Sequence, residues 1–373
     1  MELIISKQNI EKLLVKLQGV SEKRHAIPVL SHFSLEAGNG GVHVTATDLD
    51  IIIRDGCEAD VVEEGGYLIP TRKLLDVVRV LPTETVTLRL LESGFVELVS
   101  GKSRFKIAGL PMKEFPDLPG REKGEPFTVK ASVLKLMIDR VLTFTSTEDT
   151  RLEVSGVLFE KVTEGKAERL RLVATDGHRL SYVEEHMEGL TERLSEGIIV
   201  PRKGVAELRK MIDEASGDVS ISVGESFLSA SIDGSEITVR LIGAEFPSYR
   251  EVIPTNFTRK LVVDREKFAE VLRRVSVIAT EKLKSVIMNL KSSEMEVSSV
   301  SPDYGEASDF IDVSMEGEEL KIGFNSRYLL DVATSSGGEN LVIHIANELS
   351  PVLFMPEDRD DFIAVVMPIR TAV

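Results

Sequence analysis

The chain has 373 residues, 42% of them hydrophobic and 28% charged, with a formal net charge of −16. That length exceeds one ordinary core and points to two or three domains. A single cysteine, Cys57, excludes an internal disulfide and a cysteine-based metal site. No apolar run approaches the ~20 residues that span a bilayer, and Met1–Lys7 lacks a signal-peptide layout, so a cytoplasmic protein is expected.

Ser6 is placed to cap a helix from Lys7 onward, with Ile10, Leu13, Leu14 and Leu17 on one face at helical spacing. A strand at Val42–Thr45 follows the turn residues Asn39-Gly40-Gly41. A second helix over Thr71–Leu81 aligns Leu74, Leu75, Val78 and Leu81 before Pro82 stops it. Strands Val86–Leu90 and Phe95–Val99 flank Ser93-Gly94. Further along, helical patterns run over Lys130–Leu142, Pro201–Asp213, Asp264–Ile278 and Asn325–Ala333. Strands are expected at Leu170–Ala174, Val219–Val223, Ile237–Leu241 and Leu341–Ile345, with Asp233-Gly234 and Asp176-Gly177 as turns. Two helices and several short strands per third of the chain predict an α+β fold on antiparallel sheet.

The thirds resemble one another. Thr45-Ala46-Thr47-Asp48 returns as Ala174-Thr175-Asp176, and Glu114-Phe115-Pro116 as Glu245-Phe246-Pro247. Pro70-Thr71-Arg72-Lys73 resembles Pro201-Arg202-Lys203, and more faintly Asn325-Ser326-Arg327, so that Arg72, Arg202 and Arg327 are spaced by 130 and 125 residues. A period this long denotes three tandem, similar domains rather than a solenoid; we place them at 1–121, 122–254 and 255–373.

The six helical patterns carry 18 Lys and Arg against nine Asp and Glu, a surplus of +9 that leaves −25 for the remainder. Lys and Arg favour helices, but so does Glu, which is scarce here. The surplus therefore points to a shared face that attracts phosphate without reading bases.

Several motifs imitate known chemistry. Gly101-Lys102-Ser103 ends like a phosphate loop, but Val96 stands where the first glycine belongs, and Lys102 sits in a strand context. The six histidines show no metal spacing. Asp176, His178 and Ser181 could mimic a hydrolase triad, yet no Gly-x-Ser-x-Gly elbow exists, and Asp in Thr-Asp-Gly commonly closes a turn. Val365-Val366-Met367-Pro368-Ile369-Arg370 reads equally as a buried edge strand or as an adaptable, Met-containing peptide lining.

Together these segments resemble the bacterial sliding clamps, the beta subunits of the replicative DNA polymerase III. The likeness runs from Met1 to Arg370. It rests on Thr45–Leu49, Gly101–Phe105, Ala174–Leu180, Val200–Gly204, Phe246–Arg250, Gly323–Asn325 and Val366–Arg370 in order.

The resemblance implies the DNA-clamp fold, closing as a head-to-tail homodimer into a six-domain ring around duplex DNA, with helices lining the hole and sheet outside. It implies no enzymatic activity and no cofactor or metal. The implied partners are double-stranded DNA bound without sequence preference, the polymerase catalytic subunit, the clamp loader, and other polymerases and repair proteins carrying a clamp-binding motif. An alternative with the same fold is a scaffold specialised for repair or regulatory partners.

A pocket between the second and third domains would bind a short motif containing Gln and hydrophobic or aromatic residues. The matching positions are Val154, Thr175, Gly177, His178, Arg179, Leu180, Pro247, Val252, Tyr328, Val365, Val366, Met367, Pro368, Ile369 and Arg370. Arg24, Arg72, Lys73, Arg151 and Lys203 would face DNA. Val277 and Ile278 would meet Val77, Leu81, Phe105 and Ile107 of the other subunit. The sequence has Leu152-Glu153 where some relatives carry an aromatic pair, Glu251 where some carry a basic residue near the pocket, and a Thr371-Ala372-Val373 tail after the Arg.

Overall fold

The computed structural model describes the chain except residues 22–26, 121–123, 149, 166, 214, 216, 280–283 and 371–373. Six α-helices lie where the periodicity puts them: α1 Lys7–Leu17, α2 Thr71–Val80, α3 Ala131–Val141, α4 Arg202–Met211, α5 Arg265–Ser276 and α6 Ser326–Ser335. Local chemistry sets their starts. Ser6 accepts a hydrogen bond from the Asn9 N–H at 3.0 Å, and Asp264 one from Lys267 at 2.9 Å. Asn325 caps α6 through the Arg327 N–H. The faces they bury are the apolar ones, Ile10, Leu13, Leu14 and Leu17 in α1 and Phe268, Val271, Leu272 and Val275 in α5.

The chain divides into two compact units, residues 1–134 with 206–241 and residues 135–205 with 242–373. In the first, a five-stranded sheet has the order Asp60–Glu63, Glu2–Ser6, Thr85–Leu90, Phe95–Ser100, Ser103–Ala108. An eight-stranded sheet runs Pro126–Lys130, Asp218–Val223, Phe227–Ile232, Ser235–Arg240, Ile51–Glu58, Gly41–Thr47, His32–Gly38, Gly65–Pro70. The hairpin turns carry the residues that left-handed backbone requires: Asn39 and Gly40 have φ 51° and 76°, Asp233 and Gly234 50° and 83°. Gly101-Lys102 also proves to be a hairpin turn, at Gly101 φ 58°, which corrects the strand setting expected for Lys102 and removes any likeness to a phosphate loop before a helix.

The second unit is built on one twelve-stranded sheet. Its order is Ile198–Pro201, Gly156–Glu164, Ala167–Thr175, Arg179–His186, Phe362–Val366, Val352–Pro356, Asn340–Ile345, Arg259–Asp264, Gly305–Glu316, Glu294–Ser301, Ser285–Leu290, Leu320–Asn325. Every ladder among the described residues is antiparallel. The sheets run across the borders of the sequence repeats. Ile51–Val239 pairing joins the first to the second in one unit, and Arg179–Val366 pairing joins the second to the third in the other. Each joint removes two exposed strand edges, which are otherwise templates for unwanted pairing.

Candidate functional site

The Thr-Asp turn occurs twice with the same wiring. In the first copy the Thr47 hydroxyl donates to the Ile51 carbonyl at 2.9 Å and accepts from the Leu49 N–H, while Asp48 Oδ1 accepts from the Asp50 and Ile51 amides. In the second, Thr175 donates to the Arg179 carbonyl at 2.7 Å and accepts from Gly177, and Asp176 Oδ1 accepts from His178 and Arg179. Both turns need a left-handed residue at the third position, Leu49 at φ 80° and Gly177 at φ 88°. Only the second has a residue free to adopt it. A Cβ at Gly177 would also stand 2.7 Å from Arg151 Nη1. Leu49→Gly should therefore raise stability by up to about 1 kcal/mol, and Gly177→Ala should lower it by about 1–2 kcal/mol. Paired thermal melts check this, and shifts of the same sign for both would contradict it.

The second turn is a support for Arg179. Its guanidinium is 7% exposed, and Nε donates to Asp176 at 3.0 Å, Nη1 to Asp331 at 2.6 Å and Nη2 to the Thr143 carbonyl at 2.6 Å. It lies against the rings of Phe144 and Tyr328, 4.9 and 4.4 Å from their centroids, and His178 stacks on Tyr328 at 6.5 Å. This wiring excludes the triad. The Asp176 carboxylate is occupied by backbone amides and Arg179, and the Ser181 hydroxyl is fully buried and donates to the Arg140 carbonyl.

Beside this turn runs the last strand. Arg179 and Leu180 sit opposite Val366 and Val365, the Met367 N–H donates to the His178 carbonyl at 2.9 Å, and the Ile369 N–H donates to Gly323 at 2.9 Å. Leu180 and Val365 belong to a buried cluster with Leu158, Val173, Ile199, Tyr249, Leu353 and Ile363, over which Phe246, Ile253 and Phe257 pack. Val154 and Val366 are fully buried, so they support the site from beneath. Val252 and Met367 are 48% and 41% exposed, and Gly177, His178, Pro247 and Arg370 are also at the surface. The expected pocket residues thus divide into an apolar floor and an exposed rim. His178, Arg179 and Tyr328 line one cavity of about 310 Å³, whereas Pro247 lines a different one of about 420 Å³ with Leu158 and Ile199.

Tyr249 explains the Phe-Pro-Ser-Tyr-Arg motif. Its hydroxyl accepts from Arg171 Nη1 at 2.9 Å and donates to Glu160, while Arg171 also donates to Glu184 at 2.7 Å and covers the Tyr182 ring. Burial, reinforced by the bond to Glu160, holds the Tyr249 hydroxyl above its ordinary pKa against the opposing pull of Arg171. The motif anchors the segment that carries Pro247 and Val252.

The charged expectations fare unevenly. Arg72 and Lys73 are exposed on α2, and Lys203 lies half-buried in the first turn of α4. Arg24 lies outside the described residues, as does the Thr371–Val373 tail. The Arg151 guanidinium lies over the Asp176-Gly177 turn and lines the His178 cavity together with Arg202 and Arg327 from the first turns of α4 and α6. The helical surplus is also partly internal, because Lys16 is bonded to Asp55 and Ser235, and buried Arg140 to Asp361. Among the dimer candidates, Val277 is 78% exposed and Val77, Phe105 and Ile278 are partly exposed. Leu81 and Ile107 are 4% and 7% exposed in the single chain. The sequence did not single out Val80, which is 71% exposed, or the acceptors Thr143 and Asp331. Arg202, in the cavity wall, was visible only as part of the repeat.

Family models of the DNA polymerase III beta subunit match its N-terminal domain at residues 1–119, central domain at 128–248 and C-terminal domain at 250–370. The chain belongs to the bacterial beta sliding clamps. It is 32% identical to the beta sliding clamp of Vibrio cholerae over 372 residues, 99% of this chain and all of that one. A clamp from Bartonella birtlesii solved with bound griselimycin superposes with a TM-score of 0.94 at 34% identity, and the beta subunit of Thermotoga maritima with 0.90 at 30%, each covering both chains completely. The three-domain α+β clamp fold therefore holds for the whole chain, and the family is one of processivity factors.

Proposed function

We propose that two copies of this chain close head to tail into a ring that encircles duplex DNA and tethers the replicative polymerase, without chemistry of its own. The observation that carries this is the match of three clamp domains, in order, over the whole length. The proposed domain limits are 1–121, 122–254 and 255–373. Among the described residues, two strand edges suit the closure: Ser103–Ala108 pairs on one side only, and the Gly305–Asp312 half of the strand Gly305–Glu316 has one unpaired side. Val77, Val80, Phe105, Val277 and Ile278 supply apolar surface near such a contact.

Arg72, Lys73 and Lys203 then meet phosphates, weakly and without base readout, so that retention on DNA comes from topology. The ring would act in the cytoplasm. It would dock polymerase, clamp loader and repair proteins through one groove, with Leu180 and Val365 below and His178, Pro247, Val252 and Met367 around its rim. The decisive experiment loads the protein onto nicked circular DNA with a clamp loader, then linearises the DNA. Retention on the circle and rapid loss from the linear form are expected, and equal loss from both would end the ring reading.

A further inference from the structure

The cavity beside His178 has a charge character that an apolar docking groove does not need. Its wall is made by the turn at Asp176, residues from Thr143 to Glu148, Arg151 and the first turns of α4 and α6. Four arginines reach it. Arg179 is neutralised by Asp176 and Asp331, and its nitrogens already donate to protein acceptors. Arg151 is exposed, with long contacts to Glu153 at 3.4 Å and to the Asp176 carbonyl at 3.5 Å. Among the described residues, Arg202 and Arg327 have no ion-pair partner. Among the described residues, Glu148 is the one further carboxylate in the lining.

A concave wall with surplus cations and low-dielectric sides focuses positive potential into its mouth. Guanidinium forks match a planar carboxylate with two parallel hydrogen bonds. His178, which stacks on Tyr328 in the cavity lining, also accepts through its carbonyl from the Met367 N–H at the groove rim.

We propose that the cavity receives the carboxylate of an acidic residue flanking the apolar anchors of the docked partner segment. This rests on the docking reading above. It gives the clamp a means of ranking partners that share the same anchors, since a segment with a suitably placed Asp or Glu binds more tightly, and loses that advantage as salt screens it.

Fluorescence anisotropy with the full-length protein tests it. The probes are fluorescein-labelled peptides containing Gln, Leu and Phe, with Asp or Asn placed either before the Gln or after the Phe. In one of the two registers the Asp peptide is expected to bind about five- to tenfold more tightly than its Asn twin. The double variant Arg202→Gln/Arg327→Gln, checked by thermal melting, should bind the twins alike. Equal affinity of the twins in both registers for the unmodified protein, with Met367→Ala weakening all of them, would overturn the proposal while leaving the groove intact. Unchanged affinity in Met367→Ala would remove the groove and the proposal with it. An Asp preference that survives in the double variant, which instead loses affinity for a single-stranded oligonucleotide, would assign the cavity to nucleic acid and overturn the proposal too.

Discussion

Arg179→Met is expected to lower the stability of the unit that contains it by about 3–5 kcal/mol, the cost of removing one partner from a buried ionic network. The substitution keeps most of the aliphatic bulk against Phe144 and Tyr328 but takes the guanidinium donor from Asp331, the Thr143 carbonyl and Asp176 Oδ2, leaving Asp176 only its backbone amides. Urea unfolding followed by circular dichroism measures the loss, and a drop under 1 kcal/mol would show that water replaces the guanidinium freely. Arg179→Lys should recover only part of the stability, because one ammonium cannot reach three acceptors in the plane that the guanidinium spans. Loss of peptide binding in either variant would then report a loosened turn. Arg179 holds the site in shape, and the rim residues His178 and Met367 are the ones available to touch a partner.

Much of this fold was legible because each helix buries one clean stripe. Ile10, Leu13, Leu14 and Leu17 needed no partner information to be grouped, and Ser6 marked where their helix starts. Comparison of the repeats separated the Thr-Asp turn from what was added to it, and the matching bonds of Thr47 and Thr175 bear that out. Side-chain commitments over long sequence distances were not legible. Nothing near Arg179 announces Asp331, 152 residues away, and nothing near Arg140 announces Asp361, 221 residues away. Counting cations by helix consequently treated Lys16 and Arg140 as available surface charge when both hold structure together. Apolar identity likewise shows only that a residue seeks burial, and packing shows how much of that burial its own chain provides, as at Leu81 and Ile107.

Asp361→Ala should be comparably damaging, at about 3–5 kcal/mol, and it makes a distinctive prediction about pH. Asp361 lies just before the strand Phe362–Val366 and accepts from Arg140 Nη1 at 2.7 Å and from Arg359 Nε at 2.9 Å. Arg140 is 3% exposed and its Nε has no partner among the described residues, so removal of the carboxylate leaves a buried cation almost uncompensated. Burial by itself would raise the Asp361 carboxyl, but hydrogen bonds from Arg359 and Arg140 outweigh it and hold the group below the ordinary carboxylate value. A folded pKa lower than the unfolded value of about 3.9 means that the pair's contribution is complete above roughly pH 4 and disappears as pH falls through the folded value. The stability gap between the unmodified chain and Asp361→Ala should therefore be constant near neutrality and narrow only below about pH 4. A gap that closes between pH 5 and 7 would locate the titration elsewhere. Because Phe362–Val366 leads directly into Met367, the variant should also weaken peptide docking while Leu180 and His178 remain unchanged in sequence, which ties the groove's affinity to an ion pair on the far side of its own floor strand.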